Sequence, residues 1–227
     1  MTFSVRETLK AAWGRFASAP LIFVGISMLI LIANLVVSGL QYLIESLGLF
    51  VGGGEGVIAT LMLVIAAAVG IGLSFLISIC KTAFYLRAHD SVEGVTLRSL
   101  WHPQPYWKFV GTSLLMGIAI FLGLILLIIP GIILGIIFGF ALYLVVEEHL
   151  SPVEALKESA RLTKGNRWKM FLLGVAIVGI NILGLLALVV GLLVTLPVST
   201  LAVVHAYRTL KNAQLPAVVD APQEVTA

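Results

Sequence analysis

Charged side chains are scarce in this sequence. Asp, Glu, Lys and Arg together make up 11% of its 227 residues, whereas hydrophobic residues make up 60%. Soluble domains carry about 25% charged residues and roughly 45 to 50% apolar ones. The composition therefore excludes a water-soluble enzyme built around one buried core, and it predicts a chain that is solvated mainly by lipid.

Cysteine is almost absent as well. The single Cys80 excludes an intrachain disulfide and a cysteine-based metal site. Because it lies in an apolar run, we interpret it as a small packed hydrophobic residue. Ionisable side chains are also missing from the middle of every long apolar run. That absence argues against a proton-coupled transporter, since such proteins commonly need ionisable groups inside the membrane.

Long apolar runs predict the membrane spans. Residues 20–44 and 57–79 contain no charged residue, and each is long enough to cross a hydrocarbon core of about 30 Å as one helix. Residues 109–146 would form a single helix of about 57 Å, nearly twice that thickness. We therefore predict two spans here, with the break at Pro130 and Gly131.

The last apolar run, residues 170–204, raises the same length problem. We place its break between Gly184 and Gly191, and one kinked or re-entrant segment is the alternative. Two crossings here complete the predicted fold class, which is all-α: a polytopic transmembrane helical bundle of six spans.

The six-span arrangement places all fourteen Lys and Arg residues on one side of the membrane. Cytoplasmic flanks retain basic residues, so we predict a multi-pass protein of the cytoplasmic (inner) membrane with both termini in the cytoplasm. Tryptophan favours the membrane interface, and the four tryptophans fall at the same boundary: Trp13, Trp101, Trp107 and Trp168.

A charged stretch before each pair of spans indicates an amphipathic helix at the cytoplasmic interface, three in all. In the first stretch, one helical face collects the apolar residues Val5, Leu9, Ala12, Trp13 and Phe16. The third begins with a capping box formed by Ser151 and Glu154. Its predicted apolar face consists of Val153, Leu156 and Ala160.

These stretches predict an internal repeat within a single transmembrane domain, residues 1–211. Each copy is an interfacial helix followed by a two-span hairpin, and the copies are residues 1–84, 91–148 and 151–211. A shift of 147 positions aligns identical residues in the first and third copies: Glu7 with Glu154, Leu9 with Leu156, Lys10 with Lys157, and Asn34 with Asn181. We predict that residues 212–227 form a disordered cytoplasmic tail.

Asn34 and Asn181 are the deepest strongly polar residues of the predicted spans, and they form a candidate intramembrane polar pair. We interpret them mainly as makers of interhelical hydrogen bonds, with the lining of a polar cavity as the alternative. Gly131, Gly135 and Gly139 recur at every fourth position and allow close helix packing. That packing is either within the chain or between copies, which leaves a homo-oligomer open.

The densest basic group follows the second hairpin. Near an anionic membrane leaflet each basic residue contributes about 1 kcal/mol to binding, so we predict contact with anionic lipid or a cytoplasmic partner. The candidate contact residues are Lys157, Arg161, Lys164, Arg167 and Lys169.

The sequence contains no recognisable catalytic, metal or cofactor motif. His89, Asp90, Glu93 and His102 fall in one predicted loop, and Glu147, Glu148 and His149 fall in the next. Their spacing matches no metal motif, so we interpret them as a solvated face beside the membrane. We predict that the protein is not an enzyme, needs no metal or cofactor, and binds no nucleic acid.

Four short segments carry a resemblance to known proteins: IIPGI at 128–132, VVEE at 145–148, SPVEALKES at 151–159 and TKGNRW at 163–168. They resemble a widespread group of bacterial integral membrane proteins of unknown function. That group is similar to the membrane domain fused to some glycerophosphodiester phosphodiesterases. The resemblance implies a six-span fold, and it implies no phosphodiesterase reaction because that chemistry belongs to a separate soluble domain.

We therefore predict a non-enzymatic membrane-embedded binding or assembly module. Its expected partners are membrane lipids and, as a further possibility, a second copy or another membrane protein. The alternative is a transporter or channel for small molecules or lipids, which would need a polar path between the hairpins.

Overall fold

The structure is a computed structural model that describes residues 3–51, 56–90, 105–187 and 191–214. These ranges contain helices and no strand. In chain order the helices are α1 Val5–Ser18, α2 Pro20–Val51, α3 Val57–Asp90, α4 Tyr106–Leu126, α5 Ile128–Ile137, α6 Ala141–Glu148, α7 Pro152–Thr163, α8 Arg167–Leu186 and α9 Leu192–Gln214. The all-helical prediction is confirmed.

Six helical segments of the described ranges are long and apolar enough to cross a bilayer: α2, α3, α4, α5 with α6, α8 and α9. They pair as three antiparallel hairpins. In the first hairpin Phe23 near the start of α2 stacks on Tyr85 near the end of α3. In the third, the Asn181 amide of α8 donates to Ser199 Oγ of α9. This architecture is that of a multi-pass membrane protein.

The break in residues 109–146 lies three residues earlier than Pro130, so our placement at Pro130 and Gly131 is wrong. The extended residue is Leu127, with φ −169° and ψ 150°, and α5 begins directly after it. Pro130 is the third residue of α5, within the first turn, where a missing N–H group costs no helical hydrogen bond. Gly131 instead provides close packing, because an added Cβ would lie 2.9 Å from the Leu124 backbone nitrogen.

A second break, which the sequence pattern did not predict, separates α5 from α6 at residues 138–140. Such a break frees backbone groups, and buried backbone groups need new hydrogen-bond partners. Ser159 of α7, which is fully buried, supplies them: its hydroxyl donates to Ile137 O at 2.7 Å and accepts from Phe140 N at 3.1 Å. The Thr163 hydroxyl lies 3.5 Å from the same Ile137 oxygen. Helix α7 is therefore anchored to the break.

The break that we predicted between Gly184 and Gly191 is confirmed, since α8 ends at Leu186 and α9 begins at Leu192. Both glycines lie where the two helices approach closely. A Cβ on Gly184 would lie 2.4 Å from Thr195 Oγ1, and one on Gly191 would lie 2.4 Å from Gly184 O. The two helices run antiparallel, so residues 170–204 form a hairpin rather than one kinked segment.

The hydrophobic core lies at one end of the molecule, which we call the base. It is formed by α1, α6 and α7, by the starts of α2, α4 and α8, and by the ends of α3 and α9. Its largest fully buried residues include Phe23, Phe84, Phe140, Leu162 and Tyr207. Beyond the base, the hairpins expose many large apolar side chains, as expected for surfaces that contact lipid.

Two of the three predicted amphipathic helices lie in described residues, as α1 and α7; the stretch that precedes the second hairpin, residues 91–104, lies outside them. In α1, Ala12 and Phe16 are buried as predicted, whereas Trp13 is 56% exposed. In α7 the predicted face is displaced, because Val153 is 52% exposed. The buried residues of α7 are Ala155, Leu156, Ser159, Leu162 and Thr163.

The displacement in α7 has a physical cause in its polar residues. Ser159 and Thr163 turn towards the backbone break beside α6, so they take positions that an apolar-face pattern leaves to solvent. The predicted cap is present: Ser151 N–H donates to Glu154 Oε2 at 3.0 Å. Hydrogen bonds from Ser151 hold the pKa of Glu154 below its usual range.

Helix α9 extends to Gln214 and so includes the first three residues of the predicted tail, which begins at Asn212. The Gln214 amide donates to Arg161 O at 3.2 Å and so ties the end of α9 to α7. The rest of the predicted tail, residues 215–227, lies outside the described residues. The division into three repeat units stays a prediction.

Candidate functional site

An apolar groove runs between α5 and α8, with a volume of ≈ 460 Å³. Four isoleucines of α5 form one wall, and Phe171 of α8 lies opposite them. Arg167 and Trp168, in the first turn of α8, line the end of the groove nearest the base. Trp168 is 69% exposed and stacks on Phe171 with 5.3 Å between ring centroids. The groove thus has an apolar length and one cationic, aromatic end.

The five candidate basic residues occupy two distinct places. Lys157, Arg161 and Lys164 lie on the exposed face of α7 or just after it, and Arg167 and Lys169 lie in the first turn of α8. Arg161 already has an anionic partner, because its Nε and Nη2 donate to the two carboxylate oxygens of Glu158 at 2.8 and 2.5 Å. Arg167 is the member of the group that lines the apolar groove.

Asn34 and Asn181 have separate partners rather than each other. The Asn34 amide is exposed on α2 and donates to Ile30 O of its own helix at 2.7 Å. The Asn181 amide donates to Ile177 O and to Ser199 Oγ, each at 2.9 Å. Asn181 therefore links α8 to α9 by an interhelical hydrogen bond, as we predicted for it, whereas Asn34 makes its bond within one helix.

The ends of three hairpins meet in a charged group at the base, which we call the helix-end charge cluster. Its members are Asp90 of α3, Glu147 and Glu148 of α6, and Arg208 and Lys211 of α9. The Arg208 guanidinium donates to Glu147 and, at 2.5 Å, to Asp90 Oδ2. Lys211 Nζ lies 2.6 Å from Glu148 Oε1.

Three further polar residues, Tyr207, His89 and His205, extend this cluster. The Tyr207 hydroxyl, on a fully buried ring, donates to Glu147 Oε2 at 2.5 Å. His89 Nε2 and His205 Nδ1 lie 3.0 Å apart, and His89 Nδ1 lies 3.3 Å from Asp90 Oδ1. Each carboxylate of the cluster has a cationic or hydroxyl partner. These ion pairs and hydrogen bonds hold the ends of α3, α6 and α9 together.

Sequence reasoning missed this cluster. We interpreted Asp90, Glu147 and their neighbours as a solvated face, but both carboxylates pair with Arg208. Arg208 is 61 positions from Glu147 and 118 positions from Asp90, so no local sequence pattern indicates the pairing. Within the described ranges no group of three or more His, Cys, Asp or Glu side chains is placed to hold a metal ion. Glu93 and His102 lie outside those ranges.

Comparison with known proteins identifies a family but no chemistry. Residues 57–214 match DUF975, a family described as proteins of unknown function. Uncharacterized proteins of Mycobacterium tuberculosis and Mycobacterium bovis are each 30% identical over 128 residues, which is 56% of this chain and 39% of the relative. The chain thus matches well under half the length of these curated relatives, and no solved structure matches it. Because the family match covers all three hairpins in part or whole, the chain belongs to the DUF975 family of proteins of unknown function.

Proposed function

We propose that this protein is a non-enzymatic, multi-pass protein of the cytoplasmic membrane that binds anionic phospholipid in the groove between α5 and α8. The groove itself carries the proposal, since it joins an apolar length to the cation Arg167. A planar guanidinium can hold a phosphate through two hydrogen bonds. Trp168 favours the depth of the lipid headgroups, and the isoleucine wall suits an acyl chain.

The groove has the polarity that a bilayer lipid requires. Arg167 and Trp168 lie at the base, and Ile129 lies towards the α4–α5 turn at the opposite end. A phosphate at Arg167 would therefore direct its acyl chain along α5 towards the membrane centre. The proposed role needs no catalytic group, metal or cofactor.

Exchange of Arg167 for Gln is expected to lower retention of phosphatidylglycerol about fivefold, because one basic group near the membrane contributes about 1 kcal/mol. Native mass spectrometry of protein released from mixed phosphatidylglycerol and phosphatidylcholine nanodiscs would measure the retained lipid. Arg167→Lys should show an intermediate loss, since it keeps the charge without the planar fork.

The matched control is Lys157→Gln, which removes an exposed cation of α7 that does not line the groove. It should leave retention nearly unchanged. Equal losses in Arg167→Gln and Lys157→Gln would mean diffuse attraction to an anionic surface, and the groove would not be a binding site.

The orientation is part of the same proposal: both termini and the base face the cytoplasm, with α1 and α7 at the interface. The one-sided distribution of the fourteen basic residues supports it. Reporter fusions after residues 50, 90, 150 and 220 are expected to give an external signal only at 50. An external signal at 220 would contradict six crossings.

A carrier is the second candidate. It would need a continuous polar path between hairpins, and Asn34 with Asn181 are the paired candidates to line one. Their amides bond to separate partners, and Asn34 is exposed on α2. We therefore rank lipid binding first. Leucine at both positions should leave lipid retention unchanged if the proposal is correct.

A further inference from the structure

A second apolar groove lies on the first hairpin, between α2 and α3, and has a volume of ≈ 510 Å³. Its walls come from Ile26 to Val37 of α2 and from Leu73 to Lys81 of α3. The twelve residues from Ile26 to Val37 extend about 18 Å as a helix, so the groove is long enough to hold much of an acyl chain. Its lining is apolar except at one residue, Lys81.

Lys81 has no anionic partner among the residues that the structure describes. Within the described ranges it makes no hydrogen bond and no ion pair. The nearest carboxylate further along α3 is Asp90, nine residues and about 13 Å away, and it is bonded to Arg208. The carboxylates of the helix-end charge cluster are thus committed elsewhere, while an ammonium group lies beside lipid-facing surface.

The position of Lys81 indicates which anion would complement it. An uncompensated charge within a membrane helix is costly, and a flexible lysine relieves the cost by reaching a headgroup phosphate. Lys81 lies at the base end of the groove, whereas Val37 and Leu73 lie towards the α2–α3 turn. A phospholipid bound here would have its headgroup at the base end of the groove and its acyl chain directed towards the α2–α3 turn.

We propose that the α2–α3 groove is a second binding site for an anionic phospholipid, with the phosphate at Lys81 and one acyl chain along the groove. The site lies on a different hairpin from Arg167 and does not depend on the function proposed for that residue. Charge complementarity selects the occupant: the groove is apolar, and its one charged residue is a cation with no partner in the described part of the chain.

Cys80 offers a direct readout, because it is the single cysteine of the sequence and lines the same groove. The rate at which N-ethylmaleimide modifies Cys80 would be measured by intact mass. Nanodiscs would contain phosphatidylcholine alone or phosphatidylcholine mixed with phosphatidylglycerol. In the unmodified sequence, phosphatidylglycerol is expected to slow the reaction about fivefold.

Lys81→Gln should abolish the difference between the two lipid mixtures, whereas Lys81→Arg should keep it. Arg167→Gln should keep it too, so failure of this site and failure of the Arg167 site are distinguishable. Equal protection in the unmodified protein and in Lys81→Gln would indicate a general effect of the anionic surface and would overturn the proposal. Protection by inorganic phosphate in phosphatidylcholine discs would also overturn it, since the ligand would then be the free anion.

A second measurement decides the matter if Lys81→Gln does not fold. In the unmodified protein, an increase in ionic strength from about 0.05 M to about 1 M should reduce the protection by phosphatidylglycerol, because salt screens the headgroup interaction. Protection that is independent of salt would overturn the proposed contact between Lys81 and the phosphate.

Discussion

Gly191→Ala is expected to lower the free energy of unfolding by about 3 kcal/mol, the upper part of the range for overpacking. A methyl group on Gly191 would lie 2.4 Å from Gly184 O and 2.8 Å from Gly184 Cα. These atoms belong to the backbone of α8, so no side chain can rotate to relieve the clash. The third hairpin would have to open at its turn, and the contact between Gly184 and Thr195 would open with it.

Unfolding by increasing mole fraction of SDS in detergent micelles would measure this effect. Gly179→Ala is the matched control, because it lies in α8 and an added Cβ meets no atom within 4 Å. Alanine is also the better helix former, so the control should be neutral or slightly stabilising. Similar losses from both substitutions would contradict the close approach of α8 and α9 at Gly191.

The sequence predicted the helical class and the hairpins because length and apolarity alone determine them. The apolar run of residues 170–204 is too long for one crossing. Its glycines indicate where the two helices approach each other closely at a turn. Our prediction placed the break at Pro130 and Gly131 instead of at Leu127 for a related reason. Proline signals a helix boundary nearby, yet it is tolerated in the first turn, so it indicates where α5 begins rather than where α4 ends.

The break at residues 138–140 and the helix-end charge cluster could not be predicted, because both depend on partners distant in the chain. The freed carbonyl of Ile137 is satisfied by Ser159, which is 22 residues away. Glu147 accepts a hydrogen bond from Tyr207, which is 60 residues away. Of the candidate basic residues, only the three-dimensional arrangement distinguishes Arg167, on the groove, from Arg161, which Glu158 already pairs.

Ser159→Ala is expected to lower the free energy of unfolding by about 3 kcal/mol, because it leaves two backbone groups without a good partner in a buried site. Phe140 N would lose its acceptor, and Ile137 O would keep only the distant Thr163 hydroxyl at 3.5 Å. The same substitution should loosen α7 from α6. At equal protein concentration, limited proteolysis should therefore cut α7 faster in the variant than in the unmodified protein.

Ser46→Ala tests whether the effect comes from the break and not from any lost hydroxyl. The Ser46 hydroxyl is exposed and donates only to Leu43 O of its own helix, so its loss should change stability by less than about 0.5 kcal/mol. Ser159→Cys keeps a weak donor of similar size and should recover part of the stability. If Ser159→Ala unfolded as the unmodified protein does, the α5–α6 break would have another source of hydrogen bonds. Helix α7 would then rest on its apolar residues alone, and the displaced face that buries Ser159 and Thr163 would have no energetic basis.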